Sequence, residues 1–165
     1  MRHVPPDRFQ TNAVFYVTMA ALDRKPVFGG ALAIRVLLDS LLFFCRRKEI
    51  EVVGYVVMPD HLHVMLRLRP PLTLPNWARR FKTFTTHALG GQPIWQAGYW
   101  SESVVYEKFA KEKLSYMHDN PVRSGLTTNA VLFPSSSAKE YHEDTFQMVT
   151  PYWALDMESG RVSPD

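Results

Sequence analysis

A tight turn between two strand-like runs is the strongest constraint on what this chain can fold into. Glu51–Met58 is rich in Val, Pro59-Asp60 follows it, and His61–Leu68 then alternates in polarity. A connection this short brings the two runs together as neighbouring antiparallel strands. The sequence therefore predicts a β-hairpin near the middle of the chain, and the rest of the sheet must be built around it.

Helical patterns lie on both sides of this hairpin. Before it, Ala31–Lys48 places Leu residues at helical spacing and ends in three basic side chains, which suit the negative end of a helix dipole. After it, Leu74–Leu89 shows a similar apolar periodicity and stops at Gly90-Gly91. Each pattern is typical of an amphipathic helix that packs on a sheet.

Two more extended segments and a third helix complete the order of elements. Phe9–Ala20 is β-branched and aromatic, whereas Trp95–Val105 is a weakly patterned strand or loop. Tyr106–Asp119 predicts a helix that Asn120-Pro121 and Gly125 close. The first six elements match the split βαβ plan of ferredoxin-like α+β folds, a four-stranded antiparallel sheet with both long helices on one face. The third helix is additional to that plan.

The length and composition fit one core. The chain has 165 residues, 46% of them hydrophobic, and becomes rich in Pro, Ser and acidic residues after Leu132. We expect one domain over residues 1–135, and an acidic, irregular tail over 136–165 that lies on the body or is partly disordered. No apolar run approaches the roughly 20 residues of a membrane span. A single Cys45 excludes an internal disulfide and fits a reducing cytoplasm.

Charge is distributed unevenly along the chain. Residues 1–140 carry 18 Lys and Arg against 11 Asp and Glu, whereas residues 141–165 carry 1 against 5. A basic body attracts polyanions, so nucleic acid is the leading partner class, with an ordinary solvated surface as the alternative. The candidate phosphate contacts are the basic side chains Arg46, Arg47, Lys48, Arg67, Arg69, Arg79, Arg80, Lys82 and Arg123.

Two histidines flank one leucine in the third predicted strand. Alternate residues of a strand point to the same face, with Cα atoms about 6.5–7 Å apart, so His61 and His63 can converge on one metal ion. The pattern is weak evidence by itself, because it also occurs on ordinary half-exposed sheet faces.

Two separate segments give the chain a family resemblance. Residues 55–66 read Tyr-Val-Val-Met-Pro-Asp-His-Leu-His-Val-Met-Leu, and residues 116–126 read Tyr-Met-His-Asp-Asn-Pro-Val-Arg-Ser-Gly-Leu. They resemble the single-tyrosine HUH transposases, in particular the branch associated with repetitive extragenic palindromes (REP). HUH denotes histidine, hydrophobic residue, histidine, which His61, Leu62 and His63 satisfy. The resemblance extends over about residues 9–135.

The resemblance implies a reaction and the residues that perform it. Tyr116 is expected to be the nucleophile, and Asn120 to join His61 and His63 around a divalent ion, Mg²⁺ or Mn²⁺. Because Tyr116 and Asn120 are four apart on a predicted helix, they share one face. The implied substrate is single-stranded or hairpin DNA, which would be cut and rejoined through a 5′-phosphotyrosine.

Other interpretations stay open from the sequence. A replication-initiator nickase also has the HUH motif, although many carry paired tyrosines, and Glu112 and Asn120 occupy the positions one turn from Tyr116. A domesticated or inactive module that binds palindromes without cutting them is the non-enzymatic alternative. Asn120 could simply cap the helix before Pro121. Zinc is a further candidate ion, and the chain could be a monomer or a homodimer.

Several neighbouring residues have ordinary structural roles in this interpretation. We expect His118 and Asp119 to lie on other faces of the third helix, in contact with solvent. Trp77, Phe81 and Phe84 follow helical spacing and are predicted to belong to the core.

Overall fold

The structure, a computed structural model, describes residues 13–157. That range contains four strands and four α-helices: β1 (Val14–Ala20), α1 (Ala31–Arg46), β2 (Ile50–Met58), β3 (His61–Leu68), α2 (Leu74–Ala88), β4 (Trp100–Ser103), α3 (Glu107–Arg123) and α4 (Ala138–Glu143). Short 3₁₀ turns lie at Leu22–Arg24, Ala130–Leu132 and Tyr152–Ala154. Residues 9–12 of the predicted first strand lie outside the described range. None of the helices within it has the length and apolar content that crossing a bilayer requires.

The four strands form one antiparallel sheet in the order β2-β3-β1-β4, which confirms the predicted ferredoxin-like plan. The hairpin of β2 and β3 lies at one side of the sheet, and β4, only four residues long, forms the opposite edge. His63 pairs with Val56 on one side and with Thr18 on the other, and Thr18 pairs with Trp100. These four residues form one row across the sheet.

One face of the sheet carries α1 and α2. Its core contains Phe15 and Val17 of β1 together with Leu41 of α1 and with Trp77 and Phe81 of α2. Trp77 and Phe81 are fully buried, as predicted. Burial of each such side chain contributes roughly 1.5–3 kcal/mol, so this larger cluster supplies most of the hydrophobic stabilisation.

Phe84 was predicted to belong to this core, but it lies outside it. It lies on the outer side of α2, is 48% exposed, and stacks on Phe43 with the ring centroids 5.8 Å apart. The aromatic spacing of α2 therefore includes one residue, Phe84, that lies outside the buried face of the helix.

The other face of the sheet carries α3. Tyr16 and Met65 of the central strands pack with Leu114 and Met117 of this helix in a second, smaller cluster. Gly54 of β2 permits the close approach, because a Cβ there would overlap Leu114 Cδ2 and lie 3.5 Å from Met117 Cε. The additional helix thus covers the face that also bears the two histidines.

Helix α3 is longer than predicted, because it continues through Asn120 and Pro121 to Arg123. Proline lacks the N–H that would bond the carbonyl four residues earlier, but its ring is buried in this helix, and that burial offsets the lost bond. The chain turns instead at Gly125, whose φ of 73° suits a residue without a Cβ. Asn120 is therefore not the helix cap.

The segment after residue 135, predicted to be irregular, contains helix α4 and packs on β2. The Ser137 hydroxyl accepts a hydrogen bond from the Tyr55 backbone N–H (2.9 Å), and Val57 N–H donates to the Ser135 carbonyl (2.8 Å). Two serines that read as loop residues in the sequence thus continue the hydrogen bonding at the edge of the sheet. Residues 158–165 of the predicted tail lie outside the described range.

Candidate active site

His61 and His63 point from β3 toward the face covered by α3. Their Nε2 atoms lie 3.0 Å apart, and their rings are nearly perpendicular, at 86°. Both side chains are buried. The alternation of the strand predicted this common face, and the structure shows that the two rings also converge on one point.

A second layer of side chains holds the other nitrogen of each ring. His61 Nδ1–H donates to Asp60 Oδ1 (2.6 Å), and the other oxygen of Asp60 lies 3.1 Å from Arg24 Nε. His63 Nδ1 contacts the hydroxyls of Thr18 (2.9 Å) and Tyr16 (3.1 Å). A proton on each Nδ1 leaves both Nε2 lone pairs directed into the space between the rings.

Burial keeps both imidazoles neutral near pH 7. It lowers the pKa of His61, against the opposing effect of Asp60. Burial, reinforced by the charge of His61, lowers the pKa of His63 to about 3. Burial alone would raise the pKa of Asp60, but the hydrogen bond from His61 and the charge of Arg24 bring it below its usual value. The rings are therefore available as ligands.

Asn120 joins the histidines from α3. Its Nδ2 lies 2.9 Å from His63 Nε2, and its Oδ1 accepts a hydrogen bond from the Ser124 hydroxyl at 3.4 Å. Rotation of the amide by 180° exchanges the two groups, so that Oδ1 faces the histidines and Nδ2 donates to Ser124. The three predicted ligands lie together although 57 positions separate His63 from Asn120.

Tyr116 lies one helical turn before Asn120 on the same face of α3. Its side chain is 57% exposed, so the phenol is accessible to a large substrate. The Arg123 guanidinium carbon lies 3.9 Å from the centre of the phenol ring, and Arg123 Nη2 donates to the Tyr116 carbonyl at 2.8 Å. The tyrosine helix thus lies over the histidines of its own chain.

The predicted phosphate contacts are spread over the whole molecule. Arg46, Arg79, Arg80 and Lys82 belong to α1 and α2, on the face opposite the histidines. The Lys82 ammonium donates to the carbonyls of Gln96 (2.8 Å) and Gly98, and burial lowers the pKa of Lys82 to about 8.

Several of the other predicted phosphate contacts already form ion pairs with acidic side chains. Arg47 and Arg80 pair with Glu49, and Arg69 pairs with Glu51. Arg67 donates to the carbonyl of Leu155. Arg46, Lys48 and Arg79 have no ion pair among residues 13–157. Of all nine candidates, Arg123 is the one that contacts Tyr116 within that range.

His118 differs from its predicted exposure to solvent. Its side chain points from α3 toward α4, where its Nε2 is 2.8 Å from the Ser137 hydroxyl and its ring packs on Tyr141. Burial lowers the pKa of His118 to about 4. The ring therefore helps to hold α4 against α3. Asp119 is exposed, as predicted.

Sequence reasoning missed the side chains that support the histidines from β1 and from the turn after it. The alternation of a strand puts Tyr16 and Thr18 on a common face of β1, but nothing in this local pattern links that face to His63. The predicted fold contained the necessary signal, because the ferredoxin-like order pairs β1 with β3 and so brings matching faces together. Arg24 had no comparable signal, since its position depends on the turn at residues 22–24.

The candidate ligand set consists of two imidazoles and one amide. Among residues 13–157, no three His, Cys, Asp or Glu side chains are grouped so that they could hold a metal ion. Any ion at this site would therefore depend on the Asn120 amide, or on substrate and water, for ligands beyond His61 and His63.

Comparison with known proteins identifies the family. The family model described as "Transposase IS200 like" matches residues 10–119. A REP-associated tyrosine transposase of Escherichia coli (strain K12) is 27% identical over 132 residues, which cover 74% of each protein. A solved structure of a REP-associated tyrosine transposase bound to a REP hairpin superposes with a TM-score of 0.75 at 19% identity, over 100% of both chains, and thus shares the fold. These matches confirm the resemblance seen in the sequence, and the chain belongs to the IS200-like transposase family.

Proposed function

We propose that this protein cuts and rejoins single-stranded, hairpin-forming DNA by transesterification at Tyr116, with a divalent metal ion held by His61, His63 and Asn120. The observation that carries the proposal is the convergence of both Nε2 atoms with the Asn120 amide, one helical turn from an exposed tyrosine. Membership of the transposase family supports DNA cleavage. The hairpin substrate is suggested by the relative that was solved with a REP hairpin.

The donor set fits a divalent cation. With the proton of each ring on Nδ1, the two Nε2 lone pairs face each other at 3.0 Å, and a positive charge between them would stabilise this arrangement. The same 3.0 Å separates adjacent ligands on an octahedral ion whose bonds are about 2.1 Å long, the length typical of Mg²⁺. Neutral nitrogen and amide ligands also suit Mn²⁺. When bound, such an ion would withdraw charge from the scissile phosphate and orient it for in-line attack.

Tyr116 would supply the attacking oxygen. Its phenol gives up a proton to water, which reaches the exposed side chain, and the phenolate oxygen bonds to phosphorus while the P–O3′ bond breaks. The departing 3′ oxygen takes up a proton and leaves as a 3′-OH, so the 5′-phosphate stays on Tyr116. Attack by another 3′-OH reverses these steps and joins the strands. Each exchange replaces one phosphodiester by another, so no nucleotide triphosphate is consumed.

Arg123 would act on the nucleophile rather than on distant phosphates. The guanidinium carbon lies 3.9 Å from the ring centre, and its hydrogen bond to the Tyr116 carbonyl fixes this contact, so Arg123 orients the phenol for attack. The remaining basic side chains are candidates for contacts with the hairpin away from the cut.

The test is the covalent adduct. A labelled hairpin with a single-stranded extension, incubated with the protein and Mg²⁺ or Mn²⁺, should give a protein–DNA band that survives denaturation. Tyr116→Phe should abolish this band, whereas Tyr106→Phe, at the start of the same helix, should retain it. An equal adduct from Tyr116→Phe would refute the nucleophile assignment. Tight binding by the wild type without any adduct would favour the module that binds palindromes without cutting.

A further inference from the structure

We propose that Trp100 and Lys113 form a binding seat for one nucleotide next to the scissile phosphate: the indole stacks on the base and the ammonium contacts its phosphate. This inference rests on the proposed function, because it takes single-stranded DNA as the substrate. It adds a second contact region to the site, on the side of the sheet edge, and defines which part of the molecule holds the strand during the reaction.

Trp100 lies in the same row of the sheet as the candidate metal ligands. It pairs with Thr18, and Thr18 pairs with His63. Directly opposed residues of antiparallel strands share a face, so all three side chains lie on the side covered by α3. Neighbouring strands are about 4.8 Å apart, which places Trp100 about 10 Å from His63 along this row. A nucleotide flanking a phosphate held at the histidines can reach that far.

The indole is held in place while much of it contacts solvent. Trp100 is 39% exposed at the start of the edge strand β4. It packs edge-to-face on Tyr16, with centroids 5.7 Å apart, and Tyr16 stacks on His63 at the same distance. The three rings form a continuous row from the ligand to the sheet edge. An exposed, oriented aromatic ring is what a single-stranded base needs for stacking, whatever the base.

Lys113 supplies a charge at the same place. It lies three residues before Tyr116 on α3, so both side chains project from one face of the helix. Its Nζ lies 6.0 Å from the centre of the Trp100 ring and 5.9 Å from that of Tyr16. Glu102 pairs with this ammonium at 2.6 Å, so a bound phosphate would share Lys113 with that carboxylate. The positive charge is thus fixed between the exposed indole and the helix that carries the nucleophile.

A second exposed aromatic pair provides a matched comparison. Phe43 and Phe84 stack on each other, but they belong to α1 and α2 on the opposite face of the sheet. Phe84 is 48% exposed, a larger fraction than the 39% of Trp100. If exposure alone attracted bases, Phe84 would bind DNA as well. The location of Trp100 beside His63 and Tyr116 is the feature that predicts a role in the reaction.

The seat can be tested with 2-aminopurine, whose fluorescence falls when it stacks. The probe is placed at successive positions around the cleaved bond of the hairpin, with Tyr116→Phe protein to prevent cutting. We expect quenching at one position next to the bond, lost in Trp100→Ala and largely kept in Trp100→Phe. Affinity should fall about 5- to 150-fold in Trp100→Ala, the range found when a stacking aromatic is removed. Phe84→Ala should not change it.

The role of Lys113 is tested by measuring how DNA affinity depends on salt concentration. Loss of a phosphate contact reduces the magnitude of the negative slope of log K, the association constant for DNA, against log salt concentration by about 1. Loss of a stacking contact leaves this slope unchanged. We therefore expect Lys113→Gln to reduce the slope and Trp100→Ala to preserve it. The conservative Trp100→Phe variant keeps the test valid if Trp100→Ala unfolds.

The outcomes separate the seat from the proposed function. If the wild type forms the adduct and Trp100→Ala keeps the same DNA affinity, 2-aminopurine quenching and cleavage rate, the proposed nucleotide seat is refuted. The proposed function then stands. An unchanged salt slope in Lys113→Gln removes the phosphate contact from the proposal. If the wild type neither binds the hairpin nor forms an adduct, the proposed function fails and the seat fails with it.

Discussion

His61 Nε2 and His63 Nε2 lie 3.0 Å apart, and burial lowers the pKa of both imidazoles, so two neutral rings meet in a buried position. A cation bound between them would take both Nε2 atoms as ligands, and this arrangement exists only in the folded protein. Binding should therefore appear as a gain in stability as well as in activity.

We predict that Mn²⁺ at about 100 times its dissociation constant stabilises the wild type by about 2.7 kcal/mol and raises Tm by about 5–10 °C. His63→Ala should lose most of this shift. His87→Ala, which changes a histidine of α2, should keep it. Thermal unfolding with and without the ion measures the effect, and an undiminished shift in His63→Ala would contradict the ligand assignment.

The contact between Asn120 and His63 predicts that each subunit uses its own tyrosine. The amide of Asn120 reaches the histidine of the same chain at 2.9 Å, and Tyr116 lies on the same helix. Co-expressed Tyr116→Phe and His63→Ala chains should therefore yield no adduct. Wild type diluted with Tyr116→Phe should give adduct in proportion to the wild-type content. Recovery of adduct in the first mixture would mean that the tyrosine helix serves a partner chain.

The position of Arg123 over the Tyr116 ring predicts an effect on rate. Exposed and partly desolvated cation–π contacts contribute about 0.5–2 kcal/mol, so Arg123→Gln should slow adduct formation at saturating DNA about 2- to 30-fold. Arg123→Lys should restore only part of the loss, because lysine lacks the planar group that stacks. A higher KM for DNA with an unchanged maximal rate would instead assign Arg123 to the predicted phosphate contacts.

The packing at Gly54 predicts a loss of stability when a side chain is introduced there. A Cβ at Gly54 would overlap Leu114 Cδ2, so Gly54→Ala should cost about 1–3 kcal/mol in urea unfolding. Gly29→Ala, where the nearest atom would be 3.5 Å away, is the control and should cost less. Leu114→Ala should be less harmful in the Gly54→Ala background than alone, because it removes the overlap. Additive losses would place the defect elsewhere.

The sequence predicted the fold well where local patterns decide it. Periodicity and the turn at Pro59-Asp60 were enough for the sheet order and for placing α1 and α2. Local rules failed at Pro121, because they contain no term for a ring buried by tertiary packing. They also missed helix α4 after residue 135 and the hydrogen bonds by which Ser135 and Ser137 attach to β2, a strand about 80 positions earlier.

The site was predictable to the extent that it depends on spacing. A period of two placed His61 and His63 on one face, and a separation of four did the same for Tyr116 and Asn120. Which basic residues lie near that face was not predictable from composition, because it depends on the side of the sheet that each helix covers. Four of the nine candidates belong to the two helices of the opposite face.

The division between the two faces of the sheet has an evolutionary consequence. The larger hydrophobic cluster lies under α1 and α2, whereas the histidines, Asn120 and Tyr116 lie on the other side. Mutations that disable the chemistry therefore leave the main source of stability intact. A transposase gene that loses this chemistry can therefore still encode a folded protein, free to be retained by its host for another task.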